Sequence, residues 1–436
     1  MTVTGIDYKV RHNRVLEMIG NGALLQIAMP EAVRNSDVHH NWRQESLLYW
    51  LTGFAEPESA ILILGDKPEG QRIHLFLRQR DPKMEMWNGR RMGLEGAKEQ
   101  LEIDFSHSFS DLWQLLPELL GISDKIFFDF GTSDTNDLSF IKAVNKHRQM
   151  SVKKFSGERL AIHDGAWISG RLRICKDEQE LERMRKAADI TAKGFEQVYK
   201  IVVPGMNEKQ VHATLLATYL TNNADMEAYP AIVAGGENAC ILHYIENNAV
   251  LNDNELLLID SGAQYEYYAS DVTRTFPVGK KFTESQKALY EIVLNAELLA
   301  IDLVRVGNTW KQVHEKAVEV IVDGLLELGV MQGTKGEIIE SGSYKEFFPH
   351  GTGHWLGMDV HDVGDYYTDG EVVPFAEGMV CTVEPGIYIP SDCAHVPKQF
   401  RGIGIRIEDD IVVTKGAPEV LTAAIPKSIE ELESRR

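Results

Sequence analysis

Four acidic residues in two matching positions are the feature of this sequence that most constrains its fold. Asp260 and Glu384 each end an apolar run of the kind that forms a strand, and a small turn follows each one. Asp271 and Glu408 occupy the next strand-like segment of each half. A buried carboxylate is costly unless it is paired, and cations are the simplest partners for several of them. The sequence therefore predicts strands that hold a centre of two metal ions.

The spacing of the first pair suits a hairpin. The stretch between Asp260 and Asp271 is polar and contains Gly262. Residues that face each other across paired strands have Cβ atoms roughly 4.5–5.5 Å apart, which suits two ions held about 3.5–4 Å from each other. We expect the same arrangement for Glu384 and Glu408, across a longer connection that contains two prolines.

One imidazole completes the predicted ligand set. His350 and His354 are spaced as on a helix, but Gly351 and Gly353 between them favour a loop or a strand. An oxygen-rich set with a single nitrogen, from His354, favours Mn²⁺, with Zn²⁺ or Co²⁺ as second choices. Two such ions lower the pKa of water and polarise a carbonyl group, so hydrolysis of an acyl bond is the expected chemistry.

The length of the chain, 436 residues, predicts two domains. The first part alternates strand-like runs with helical patterns, which indicates a small α/β domain, with predicted strands at 23–28, 60–64, 74–77 and 125–128. A capping box at Asp177–Glu180 opens a long amphipathic helix that is expected to run to about Val202. We place the domains at residues 1–172 and 173–436.

The composition excludes several partners and compartments. A net charge of −20 disfavours nucleic acid and anionic membrane surfaces. The sequence contains no apolar stretch of membrane-spanning length, and residues 1–9 lack the apolar core of a signal peptide. Four scattered cysteines without CxxC spacing suit a reducing compartment. We therefore predict a cytoplasmic protein without a membrane partner.

The second domain resembles a duplicated unit. Residues 204–212 and 306–314 share a glycine turn and the sequence Lys-Gln-Val-His at a constant offset of 102 residues. Taken alone, this match is better explained as coincidence between two unrelated helix starts. The repeated order of helix, glycine turn, helix and acid-bearing strand pair favours duplication, which would bring the four acids around one axis.

Several other residues have two possible roles. His243 and His361, judged singly, are more often structural histidines than catalytic ones. Arg406 shares the strand face of Glu408, so it is either a partner that fixes that carboxylate or a member of a buried ion pair. A metal nearby favours the first reading.

Four segments resemble the creatinase, prolidase and methionine aminopeptidase family, and within it most closely the aminopeptidase P branch: residues 237–244, 270–277, 350–357 and 401–409. The resemblance implies an α/β fold in which a duplicated "pita-bread" catalytic domain follows a smaller creatinase-like domain. It also implies activity on peptides with an N-terminal Xaa-Pro sequence, by a hydroxide that bridges the metals, and assembly into a homo-oligomer, a dimer or a tetramer.

The same resemblance implies roles for single residues. Asp271 and Glu408 would bridge two Mn²⁺ ions, Asp260 would bind one ion, and His354 and Glu384 would bind the other. Glu384 would also move the proton of the nucleophile, while the substrate or the tetrahedral intermediate would be bound by His243, His350, His361 and Arg406. Tyr229 and Trp87 are further candidates for substrate contact. Trp87 resembles an aromatic residue supplied to a neighbouring subunit, although an ordinary tryptophan of the small domain fits equally well.

Two alternatives remain at this point. A prolidase would cleave only Xaa-Pro dipeptides and would need a cation for their free carboxylate. A non-catalytic relative would keep the fold for peptide recognition, but such relatives typically lose metal ligands. All five ligand positions are filled here, and the context of Trp355 and of residues 403–405 favours the aminopeptidase.

Overall fold

The computed structural model describes residues 6–154 and 160–436. Part of the segment used to exclude a signal peptide, residues 1–5, lies outside the described residues. The chain divides into two compact units, residues 1–172 and 173–436. Among the helices of the described residues, none is long and apolar enough to cross a membrane.

A six-stranded mixed sheet forms the N-terminal unit. Its strands lie in the order Phe105–Ser108, Ile73–Leu77, Ala60–Leu64, Ala23–Ile27, Lys125–Phe128 and Ala161–Asp164. The strand Ala60–Leu64 is antiparallel to both of its neighbours and is buried along its whole length. Strands covered on both faces read as continuous apolar runs, which is why the four predicted strands are confirmed to within one residue.

Helices and a small hairpin complete this unit. The helices are Tyr8–Ile19, Ser46–Thr52, Pro82–Asn88, Gly93–Gln100, Leu112–Leu119, Asp134–Lys154 and Ala166–Arg173, with a 3₁₀ turn at Phe109–Asp111. The two-stranded hairpin pairs Val33–Asn35 with Val38–His39. The apolar core lies between the sheet and the helices, and includes Leu62, Phe76, Leu116 and Phe140.

Two pairs of long helices frame the C-terminal unit. Glu178–Ile201 packs against Glu208–Thr221, and Glu284–Ile301 packs against Trp310–Glu327. All four begin with a capping box, in which the N-cap side chain and the side chain three residues later each bind the other's backbone N–H. The predicted helix from Asp177 to about Val202 is confirmed. Shorter helices are Lys335–Ser341 and Ile429–Ser434, with 3₁₀ turns at Gly236–Cys240, Ser343–Glu346 and Lys398–Phe400.

The strands of the C-terminal unit form two long, interrupted hairpins. The first hairpin consists of Leu256–Asp260, Ala263–Tyr265, Tyr268–Ala269 and Thr273–Pro277. The second hairpin consists of Val380–Val383, Gly386–Ile389, Ile403–Arg406 and Asp409–Val412. Further short strands are Met226–Glu227, Ile232–Gly235, Tyr367–Thr368, Glu371–Val372 and Glu419–Val420. In each hairpin the outer and inner strand pairs are separated by a short unpaired break.

Backbone contacts confirm the duplication. The N–H of Gly205 donates to Leu251 O, and that of Gly307 donates to Phe375 O, at 2.8 and 2.9 Å. Both glycines have a positive φ, 88° and 89°, so the turn before each second helix has the same conformation. The isolated bridges of Asn207 with Val250 and of Thr309 with Pro374 repeat the relation at the helix starts. Val250 and Pro374 are separated by the same number of residues as Asp260 and Glu384.

Candidate metal centre

The first pair of acids lies at the break of the first hairpin. Asp260 pairs with Thr273, not with Asp271, so the prediction that the two acids oppose each other directly is wrong. The strand pairing stops after Asp260. The bond from Ser261 N to Val272 O, 3.0 Å, crosses the break, and the inner strands then pair in the same register, with Gln264 opposite Ala269. Asp271 lies two residues before Thr273, the register partner of Asp260.

The second pair lies at the equivalent break of the second hairpin. Pairing runs through Val383 and Asp409 on one side and resumes at Gly386 and Arg406 on the other. Glu384 and Glu408 fall between these two stretches. The two hairpins meet here, because Glu408 N donates to Thr273 O at 3.1 Å. The four acids are thereby brought to one place.

His354 faces these acids with one ring nitrogen. Nδ1 lies 3.0 Å from the carbonyl oxygen of Trp355, while Nε2 lies 3.3 Å from Asp271 and 3.6 Å from Glu384. With its hydrogen on Nδ1, the ring would present the lone pair of Nε2, which is the usual way a second partner fixes a histidine ligand. Potential ligand atoms of Asp271, His354 and Glu408 all lie within 4.8 Å of one another. The segment is a loop, as Gly351 and Gly353 predict.

The guanidinium of Arg406 crosses from the second hairpin to the first. It donates to Asp260 Oδ2 at 2.6 Å, to Tyr388 Oη at 2.9 Å and to Thr273 Oγ1 at 3.0 Å. The Thr273 hydroxyl donates in turn to Glu408 Oε2 at 2.6 Å. Arg406 therefore fixes Asp260 directly and reaches Glu408 only through Thr273, which corrects the predicted direct partnership with Glu408.

Tyr229 contacts both aspartates of the first hairpin. Its hydroxyl lies 2.6 Å from Asp260 Oδ1 and also contacts Asp271 Oδ1. One hydroxyl proton serves only one oxygen at a time, so the second contact is unfavourable between two anions unless a proton or a cation lies between them. Tyr229 also lines the cavity described below.

A cavity of about 430 Å³ opens onto the acids. His243, His350 and His361 line it together with the five predicted ligands and Arg406. The His350 Nε2 atom lies 2.8 Å from the Tyr388 hydroxyl, and the rings of His354 and His361 meet edge to face at 4.3 Å. Of the predicted residues, Trp87 belongs to the N-terminal unit, where its side chain is 82% exposed.

Burial and crowding make full ionisation of these acids unfavourable without cations. Burial, together with the carboxylate of Asp271, raises the pKa of Asp260 and of Glu408 above the ordinary range. Burial raises the pKa of Glu384 to about 7, although His354 and Arg406 oppose the shift. Burial opposes a charge on His354, but contacts with Asp271 and Glu384 outweigh it and raise its pKa to about 9. The donor set therefore fits divalent cations, which would replace these protons.

Three residues of the centre were missed by the sequence analysis. Thr273 and Tyr388 connect Arg406 to Glu408 and to His350, and Asp410 accepts the backbone N–H of Asp271 at 3.1 Å. Tyr388 lies two residues from Gly386, the register partner of Arg406. Strand alternation could have placed Tyr388 on the face of Arg406, but only if the register had been known.

The fold and the donor set define a metallopeptidase, and the chain belongs to metallopeptidase family M24. The profile of that family matches residues 182–415, and that of the aminopeptidase P N-terminal domain matches residues 8–127. The Xaa-Pro aminopeptidase of Haemophilus influenzae is 39% identical over 98% of this chain and 96% of its own length. The predicted family and fold class are confirmed.

Two solved structures resemble this chain along nearly its whole length. The aminopeptidase PepP of Pseudomonas aeruginosa has a TM-score of 0.94 at 39% identity, with 98% of this chain and 97% of that chain covered. A zinc-substituted aminopeptidase P of Escherichia coli, in complex with product, has a TM-score of 0.93 at 37% identity, with 99% and 98% covered. Both support the aminopeptidase P branch predicted from the four segments.

Proposed function

We propose that the protein removes the N-terminal residue from peptides with proline in second position, with two divalent ions bound by Asp260, Asp271, His354, Glu384 and Glu408. The observation that carries this proposal is the convergence of four carboxylates and one imidazole at the breaks of two repeated hairpins, beside a cavity. Full-length relatives named Xaa-Pro aminopeptidase support the substrate class.

The roles of the ligands follow from their positions. Asp271 and Glu408 have ligand atoms close to His354 and to each other, which suits bridging positions. Asp260, held by Arg406, suits one ion, and His354 with Glu384 suits the other. When bound, such ions lower the pKa of water and polarise the scissile carbonyl. The oxygen-rich set favours Mn²⁺ over Zn²⁺ or Co²⁺.

Glu384 is proposed to move a proton in the reaction. Burial raises its pKa to about 7 in the absence of ions, which supports this role. His350 Nδ1 lies 2.7 Å from the Gly351 carbonyl oxygen and so carries a hydrogen, and His350 is proposed to bind the substrate or the tetrahedral intermediate and not to accept this proton. His243 and His361, in the cavity wall, are proposed to bind the substrate.

The cavity wall suits a proline ring and an extended peptide. Its apolar part includes Ile232, Leu242, Ile245 and Val360. Among the described residues that line the cavity, Arg406 is the sole lysine or arginine, and its guanidinium is bound to Asp260, Tyr388 and Thr273. A guanidinium engaged in this way is poorly placed to bind the free carboxylate of a dipeptide. This supports an aminopeptidase over a prolidase.

The proposal also covers the two domains, the assembly and the location of the protein. We assign residues 1–172 to a creatinase-like domain and residues 173–436 to the catalytic domain. The homo-oligomer of two or four subunits and the cytoplasmic location stay predictions. An exposed Trp87, with Met86 beside it also 81% exposed, is compatible with contact to a second subunit.

A metal-depletion experiment with proline peptides tests the activity. Dialysis against chelator should abolish turnover, and Mn²⁺ should restore it. A tripeptide Xaa-Pro-Pro should then be cleaved at least as well as the dipeptide Xaa-Pro. An intact tripeptide beside a hydrolysed dipeptide would establish a prolidase, and turnover that survives chelation would contradict the metal centre.

A further inference from the structure

A second group of potential metal ligands lies outside the cavity, in the connection between the inner strands of the second hairpin. Cys393 and His395 stand two residues apart in this connection. Glu346 ends the 3₁₀ turn Ser343–Glu346, and its carboxylate reaches both of them. None of the three belongs to the set proposed for the catalytic ions.

The distances within this group suit one tetrahedral ion. His395 Nε2 lies 3.1 Å from Glu346 Oε1, and Cys393 Sγ lies 3.6 Å from the same nitrogen and 3.9 Å from the same oxygen. Zinc bonds of about 2.3 Å to sulfur and about 2.0 Å to nitrogen and oxygen, at tetrahedral angles, place the nitrogen and oxygen about 3.3 Å apart and the sulfur about 3.6 Å from each of them. The side chains thus need to move by only a few tenths of an ångström.

The donor types distinguish this group from the catalytic centre. A thiolate with an imidazole and one carboxylate favours thiophilic ions such as Zn²⁺, whereas the catalytic set contains no sulfur. Metal binding displaces the thiol proton, and the cation then neutralises the thiolate and the carboxylate together. His395 and Glu346 are 60% and 51% exposed, so the site is open to ions from solvent and has room for a water as fourth ligand.

We propose that Glu346, Cys393 and His395 form an accessory site for a thiophilic divalent ion, distinct from the catalytic pair. The site connects to the catalytic cavity through the backbone. Tyr388 N donates to Phe347 O at 3.0 Å, and the Tyr388 hydroxyl contacts His350 and Arg406. An ion bound to Glu346 and Cys393 restrains the two segments that carry His350 and Tyr388.

Cobalt absorption tests the site in the Mn²⁺-loaded enzyme, with Co²⁺ as the probe. Thiolate ligation gives Co²⁺ an intense charge-transfer band in the near ultraviolet, which oxygen and nitrogen ligands do not give. We expect this band on titration of the wild-type enzyme, and its loss when excess Zn²⁺ is added. The band should also be lost in Cys393→Ser and weakened at least tenfold at equal Co²⁺ in His395→Ala.

Cys240→Ser is the matched control, since Cys240 belongs to neither group of potential ligands found among the described residues. It should retain the full band. An absent band in the wild-type enzyme, or a band that survives in Cys393→Ser, would overturn the proposal. These readouts do not depend on peptidase turnover, so they are separate from the test of the proposed activity.

Discussion

The two hairpins of the C-terminal unit share a backbone design but differ in the chemistry that they carry. Each presents two acids at an unpaired break, and equivalent glycine turns and helix starts flank both. The first hairpin supplies aspartates that Tyr229 contacts, and the second supplies glutamates together with Arg406. His350 and His354 come from the second half as well.

This difference separates metal binding from substrate handling. A duplicated backbone brings the acids that end the first strand of each hairpin, Asp260 and Glu384, to one axis with an acid from each returning segment, which suits two adjacent ions. Proton transfer and recognition of one peptide require unlike groups on the two sides, and these come mainly from the second half. The duplication therefore accounts for the acids, while the asymmetry accounts for the groups that act on the substrate.

The largest loss of turnover is expected in two single variants, each of which neutralises one acid of one half. Asp271→Asn and Glu408→Gln keep the side-chain size but remove a proposed bridging ligand. Losing a partner that only supports a metal ligand typically costs 10–100-fold, so losing a ligand should lower kcat/KM by more than roughly 100-fold in both variants. Peptide turnover at saturating Mn²⁺ measures this effect.

Equal losses would support equivalent roles for the two hairpins. Near-ultraviolet circular dichroism should show that both variants fold like the wild type. If either variant kept more than a tenth of its turnover, the assignment of bridging roles to both halves would be wrong.

A smaller loss is expected when the cross-link between the halves is weakened. Arg406→Lys keeps the charge but not the planar fork that reaches Asp260, Tyr388 and Thr273 together. We expect kcat/KM to fall by roughly 10–100-fold. Arg305→Lys is the control, because Arg305 forms an exposed pair with Asp302 and should leave turnover unchanged. Equal turnover in the two variants would contradict the role of Arg406.

The sequence predicted the acids better than their geometry. Asp260 and Glu384 were found because apolar runs that end in a carboxylate mark a functional position. The opposition of Asp260 and Asp271 was predicted wrongly, because the register, which places Asp260 opposite Thr273 and Gln264 opposite Ala269, is fixed by the turn at the hairpin tip and leaves no mark in the apolar pattern. Arg406 was assigned to Glu408 because strand alternation describes only its own hairpin. It gives no information on the contact with Asp260 in the other hairpin.

In the N-terminal unit the strands were easier to predict from the sequence than the functional residues. Continuous apolar runs identified the buried strands of the sheet, because burial on both faces leaves a strong local signal. Trp87 has no such signal, since an exposed tryptophan on a short helix has the same local sequence whether or not a second subunit covers it.

The smallest effect concerns stability and pH in the metal-free protein, where two groups of the second half, Glu384 and His354, act in the same direction. The folded state raises the pKa of Glu384 from 4.5 to about 7 and that of His354 from 6.5 to about 9, so both hold protons that the unfolded chain releases. The contribution of each group to the free energy of unfolding therefore falls as the pH rises, through 4.5–7 for Glu384 and through 6.5–9 for His354.

Bound ions should reverse this trend, because they need the deprotonated ligands. We expect the increase in Tm caused by Mn²⁺ to be larger at pH 8 than at pH 6, by at least the roughly 2–4 °C that each kcal/mol gives in a domain of this size. Scanning calorimetry with and without Mn²⁺ measures it, and Glu384→Gln should reduce the pH dependence of the metal-free protein. An increase in Tm that is the same at both pH values would show that the ions do not displace these protons.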